Sequence, residues 1–213
     1  MTMIRRFTVN PLGENCYVLS DSTKEGVIID CGTFDEHEFS MIRQYVENEG
    51  IRLKHYLLTH AHFDHIFGSD NVFEAFGLRP ECHETEREIW QMNPTLTYRM
   101  MRHALPLPKV EPLFTLEHDA SIQYGTSTLR VIHTPGHTPG GLCFYLENEG
   151  LLLSGDTLFR FSLGRTDIPL GSMEQEVLSV RNCLMTLPPK TIVYPGHGDT
   201  TTIAEERDGN PFL

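Results

Sequence analysis

The stretch Leu57 to Gly68, LLTHAHFDHIFG, places four metal-ligating side chains, His60, His62, Asp64 and His65, within six residues behind an apolar run that reads as a strand. Borderline divalent metals such as zinc take imidazole nitrogen and carboxylate oxygen. In an extended segment, alternate residues aim at one point, so His60 and His62 suit a single ion. Asp64 and His65 are adjacent and must diverge from that pair, which fits a neighbouring second ion. One loop cannot complete two coordination shells, so further donors are expected at other strand ends.

Three candidates follow along the chain. His137 lies in HTPGHTPGG, where Pro and Gly on both sides make a tight turn that presents a side chain. Asp156 follows the apolar run LLLSG, a placement suited to a carboxylate shared by two cations. His197 follows TIVYP in YPGHGD, another strand-end turn.

Outward from these motifs, MIRRFTV, CYVLS and GVIID read as three short strands joined by polar turns. In DEHEFSMIRQYVENEG, Phe39, Ile42, Tyr45 and Val46 recur at helical spacing and Gly50 provides a stop. KHYLL is a strand, and NVFEAFG a helix closed by Gly77. The stretch from Thr85 to Lys109 reads as separate helical pieces, ETEREIWQM and TYRMMRHAL. LFTL, SIQY, TLRVIH, LCFYL and LLLSG imply a second sheet, followed by the amphipathic helix MEQEVLSVRNCLMTL and the strand TIVYP. Sheet, helix and strand thus recur in two halves.

The 213 residues are enough for one domain with a substantial core, and one domain over residues 1–213 is expected. A formal net charge of −12 disfavours nucleic acid and anionic membrane as partners. The five cysteines, odd in number and without a CxxC pair, read as reduced thiols. No run of apolar residues is long enough to span a membrane, and MTMIRRFTVN does not read as a secretory signal. The expected location is the cytoplasm.

The series THAHFDH, PGHTPG, SGDTLF and PGHG, together with NCYVL, IIDCG, GRTD and the terminal NPFL, resembles the metallo-β-lactamase superfamily in its glyoxalase II-like branch, over almost the whole chain. The resemblance is to single-domain members without the C-terminal helical domain of full-length hydroxyacylglutathione hydrolases. It implies an α/β fold, the αββα four-layer sandwich with two mixed sheets flanked by helices. By the same resemblance His60, His62, His137 and Asp156 hold one metal, and Asp64, His65, Asp156 and His197 the other. Two divalent ions are expected, zinc first, with iron and manganese as alternatives.

The implied activity is hydrolysis of S-lactoylglutathione or a related small acyl-thiol, with Asp64 orienting the attacking water. A thiolate leaves without a strong general acid, and none is evident in the sequence. The rival readings are a mononuclear iron persulfide dioxygenase using His60, His137 and Asp156, and a degenerate metal-binding protein. Arg165, in GRTD, is a candidate for a substrate carboxylate, with pairing to Asp167 as the alternative. Asp30 is a candidate to orient a ligand imidazole. His133, His37, His55, His83, His103 and His118 are read as surface or packing residues, and Trp90, Met100 and Met101 as packing. Oligomeric state is not legible.

Overall fold

The computed structural model describes residues 2–102 and 104–213. His103 therefore lies outside the described residues. The first sheet is built by β1 (Met3–Val9), β2 (Glu14–Ser20), β3 (Glu25–Ile29), β4 (Arg52–Leu57), β5 (Pro80–His83) and β6 (Leu113–Leu116), paired in that order. Its first three strands are antiparallel and the rest parallel, because the later crossovers carry helices. These helices are α1 (Glu36–Asn48), the single turn α2 (Phe63–Ile66), α3 (Ser69–Phe76) and α4 (Glu86–Met101).

The second sheet contains β7 (Ser121–Tyr124), β8 (Ser127–His133), β9 (Leu142–Leu146) and β10 (Leu151–Gly155). After a small hairpin of β11 (Leu158–Phe159) and β12 (Ser162–Leu163), it is completed by β13 (Ile192–Pro195) and β14 (Thr201–Thr202). Its order is β14-β13-β10-β9-β8-β7, with β10 and β13 parallel and the other pairs antiparallel. The flanking helices are α5 (Met173–Ser179), continued by a π turn over Val180–Leu184, and α6 (Ile203–Gly209).

Side-chain alternation turns this chain into four layers. Every residue of β2 is buried, and its side chains divide between the two faces. Cys16 and Val18 join Phe39, Ile42 and Val46 of α1, whereas Tyr17 and Leu19 meet Leu129, Phe144 and Leu153 of the opposite sheet. Ile132, Tyr145, Leu152 and Val193 face outward from the second sheet onto Val180, Leu184 and Ile203. The helix α1 is set by Asp35, whose carboxylate accepts from Glu38 N at 2.9 Å, and by apolar residues at helical spacing.

Two sequence expectations change here. LFTL pairs with β5 and so closes the edge of the first sheet instead of starting the second. The two helical pieces after Thr85 form one helix, α4, that runs through Pro94. Proline removes an N–H from the ladder. Here that is the bond to Trp90 O, four residues back, and the Thr97 hydroxyl donates to Asn93 O at 2.9 Å in the following turn.

Strands β3, β4, β8, β10 and β13 all end at the same rim, where backbone bonds join the sheets. Leu142 N donates to Thr59 O and Asn15 N to Gly196 O, each at 2.7 Å. The carboxyl ends of parallel strands are where open α/β sheets place their sites.

Candidate metal centre

The proposed ligands reach the rim from the ends of four strands. The loop after β4 stays extended through His62 (φ −64°, ψ 148°), which sets His60 and His62 side by side, and α2 then turns Asp64 and His65 away. His137 follows β8, Asp156 follows β10 and His197 follows β13. His60, His62 and His137 form one group of donors, and Asp64, His65 and His197 another; His60, His65 and Asp156 form a group between them.

His62 Nδ1 lies 3.0 Å from His137 Nε2. Asp156 Oδ2 stands 3.6 Å from His137 Nε2 and 3.7 Å from His197 Nε2, so one carboxylate oxygen faces both clusters. His197 Nε2 is 3.4 Å from Asp64 Oδ2, and His65 Nε2 is 3.5 Å from Asp156 Oδ1. Ligands about 2.0–2.2 Å from a tetrahedral ion lie roughly 3.3–3.6 Å from one another, so these separations suit a shared cation. His60 Nε2, His65 Nε2 and Asp156 Oδ1 are buried polar atoms without a hydrogen-bond partner. Buried polar atoms without partners are costly, and a cation would satisfy all three. The donor set therefore fits two divalent ions.

The atoms behind the ligands fix which nitrogen is offered. Asp30 accepts from Thr59 N at 2.8 Å, from Thr59 Oγ1 at 2.7 Å and from His65 Nδ1 at 3.0 Å. With its proton given to Asp30, the Thr59 hydroxyl accepts from His60 Nδ1 at 3.1 Å. His137 Nδ1 donates to Arg165 O at 2.7 Å. All three imidazoles therefore present Nε2 to the centre. Asp30 thus sits directly behind His65, one of the proposed ligands.

The sequence reading missed three fully buried glutamates that hold the ligand loops. Glu86 of α4 accepts from Ala61 N at 2.7 Å and from Gly140 N at 2.8 Å, tying the His60–His62 segment to the turn of His137. Glu176 of α5 accepts from His137 N at 2.7 Å, and Glu14 accepts from Gly32 N at 3.0 Å. For two of them the signal was an acid on a buried helical face: Glu176 shares a face with Val180 and Leu184, and Glu86 with Ile89 and Asn93. Asn15 and Tyr17 explain the NCYVL motif, because both donate to Pro195 O and so anchor the turn that carries His197. Gly196 is required in that turn, since a Cβ there would collide with Asp156 Oδ1 and His65.

The electrostatics divide the centre. Burial holds His60, His62 and His137 below the ordinary imidazole range, His62 at about 3. Burial acts the same way on His65, but Asp156, Asp30 and Asp64 outweigh it and raise its pKa well above the ordinary value. His197 is also raised, because its bond to Asp64 and the charge of Asp156 exceed its desolvation. Burial raises Glu176 to about 8, opposed by its backbone donors.

A cavity of about 460 Å³ opens over the cluster, lined by His62, Asp64, His137, Asp156 and His197 below and by largely apolar walls. Met100 belongs to this wall, whereas Trp90 packs on the first core as expected. Arg165 lines the cavity too, with its Nε and a terminal nitrogen each 2.9 Å from the Asp167 carboxylate. The pairing with Asp167 considered from the sequence is thus formed in the structure. His133 donates to Pro139 O at 2.9 Å and stacks on His83, apart from the metal cluster. The five cysteines are free thiols, and no helix among the described residues is long and apolar enough to cross a membrane.

Comparison with known proteins agrees with this geometry. The chain is 32% identical to hydroxyacylglutathione hydrolase GloC of Haemophilus influenzae, over 96% of this chain and 95% of that protein. It is similar to the solved structure of BLEG-1 B3 metallo-beta-lactamase, with 38% identity, a TM-score of 0.88 and 99% of each chain covered. The structure of TTHA1623 in a di-iron-bound form matches with 35% identity and a TM-score of 0.84, covering 98% of this chain and 100% of that one. The family model for the metallo-beta-lactamase superfamily matches residues 9–197, and the chain belongs to that superfamily.

Proposed function

We propose that this metallo-hydrolase is a single-domain, two-metal thioesterase acting on a small acyl-thiol, with S-lactoylglutathione the first substrate to test. The observation that carries the reading is the pair of donor clusters sharing Asp156 at the floor of one cavity. His60, His62, His137 and Asp156 would hold one ion, and Asp64, His65, Asp156 and His197 the other, zinc being the ion proposed. When bound, two such ions polarise a carbonyl and bring the pKa of a water towards neutrality.

The chain's own residues supply the rest. Asp64 is placed to accept a hydrogen bond from the attacking water and orient it, since its carboxylate lines the cavity floor. Asp30, through His65 and through Thr59 to His60, keeps the imidazoles oriented. A thiolate, with a conjugate-acid pKa of about 8.5, departs without a proton donor, whereas an amine needs one. Among the described residues, the ionisable groups lining the cavity are histidines and carboxylates of the metal cluster and the paired Arg165, with no separate acid, which favours the thioester. The second cluster of Asp64, His65 and His197 supports two ions over the single iron of an oxygenase.

The test is steady-state hydrolysis of S-lactoylglutathione by zinc-loaded protein beside its Asp64→Ala variant. Turnover that collapses in the variant is expected. Oxygen uptake with a persulfide, or no turnover of any acyl-thiol, would overturn the proposal.

A further inference from the structure

The walls of the cavity specify more than the floor does. Above the metal cluster they are Leu12 from the β1–β2 turn, Leu96 and Met100 from α4, Phe159 and Leu163 from the β11–β12 hairpin, and Ile168. Leu12 and Met100 are 39% and 47% exposed, so these apolar side chains stand at the mouth of the cavity instead of in the core. The one lysine or arginine among the described lining residues is Arg165, and both arms of its fork are held by Asp167. A charged group carried along the walls, away from the metal floor, would find no unengaged cation among the described lining residues.

We infer that this cavity selects substrates with an uncharged, apolar acyl chain that runs from the metal centre along Leu96, Met100 and Ile168. This rests on the metallo-hydrolase reading of the floor. Specificity then comes from apolar burial: each methylene laid along the wall strengthens binding roughly three- to fourfold until the chain reaches the mouth. A terminal carboxylate on the same chain loses that gain, because it must be desolvated without a partner.

The test uses zinc-loaded protein and straight-chain alkyl hydroxamates, whose head group binds metal and whose chain leaves the centre as an acyl chain would. Calorimetry is expected to show affinity rising roughly three- to fourfold per added methylene. The monohydroxamate of succinic acid is expected to bind more weakly than the uncharged hydroxamate of equal length. Met100→Glu, a change at an exposed position, should flatten the series while metal content and Tm stay at the wild-type values. A flat series in the wild type, or tighter binding of the succinyl compound, would overturn the inference.

Hydrolysis of acyl thioesters of N-acetylcysteamine separates this claim from the thioesterase reading. A rising hydroxamate series without any thioester turnover leaves the apolar pocket standing and removes the thioesterase. Turnover that is indifferent to acyl length does the reverse.

Discussion

The two donor clusters under the cavity are built from unequal parts. His60, His62 and His137 are buried imidazoles whose desolvation lowers their pKa, whereas His65 and His197 sit among carboxylates that raise theirs and Asp64 is itself lowered by these imidazoles. An ion entering the first cluster meets lone pairs already available. An ion entering the second competes with protons for His65 and His197, whose pKa values are raised. Asp156 belongs to both, and its own pKa is held well below the carboxylate range, because His65 and the neighbouring imidazoles outweigh its burial. One protein thus offers a weakly and a strongly proton-linked position side by side.

The largest expected effect comes from removing what the clusters share. Asp156→Ala should strip metal from both and lower hydrolysis by roughly 10²–10³-fold or more, the scale of losing preorganised electrostatic stabilisation. Metal analysis and kinetics on the same sample check this; retention of one full equivalent of metal would show that the clusters are independent.

Acidification should separate the two positions. A histidine with raised pKa takes up its proton first as pH falls, so the ion at His65 and His197 is lost before the ion at His60 and His62. With two protons displaced, affinity at the second position falls by about a hundredfold per pH unit below those pKa values. The first position holds its affinity over the same interval, because its imidazoles protonate only at lower pH. Chelator competition across a descending pH series reads both, and simultaneous loss would break the asymmetry.

Smaller effects are expected one layer out. Glu86→Gln keeps one acceptor for two buried backbone donors, Ala61 N and Gly140 N, and should cost about 1–3 kcal/mol in urea unfolding. Metal affinity should fall roughly 10–100-fold through the displaced His60–His62 segment. Smallest of all, Asp167→Asn loosens an exposed pair and should leave Tm and metal content unchanged. A large loss of metal in that variant would mean that the Arg165 carbonyl on His137 depends on the side-chain pair.

The same contrast explains what was legible in the sequence. All seven donors sit in turns directly after apolar strands, where spacing and flanking glycines announce them, and the structure brings all seven together. The strands that carry them were equally plain, because buried strands are short apolar runs. What stayed hidden depended on partners far along the chain. Glu86 and Glu176 look like ordinary helical acids until the turns at Ala61, Gly140 and His137 arrive to donate to them. LFTL has the same strand pattern whichever sheet it joins, and only pairing with β5 decides. Around Pro94 the sequence reads as separate pieces, whereas the helix is tied across its middle by Asn93, whose amide donates to Ala61 O at 2.8 Å, a partner far along the chain.

The most direct test of the two-cluster account is the metal-to-chain ratio of the zinc-reconstituted protein at neutral pH, measured beside that of Asp64→Ala. The account predicts two ions per wild-type chain and one in the variant, held by His60, His62, His137 and Asp156. One ion in both proteins would contradict it.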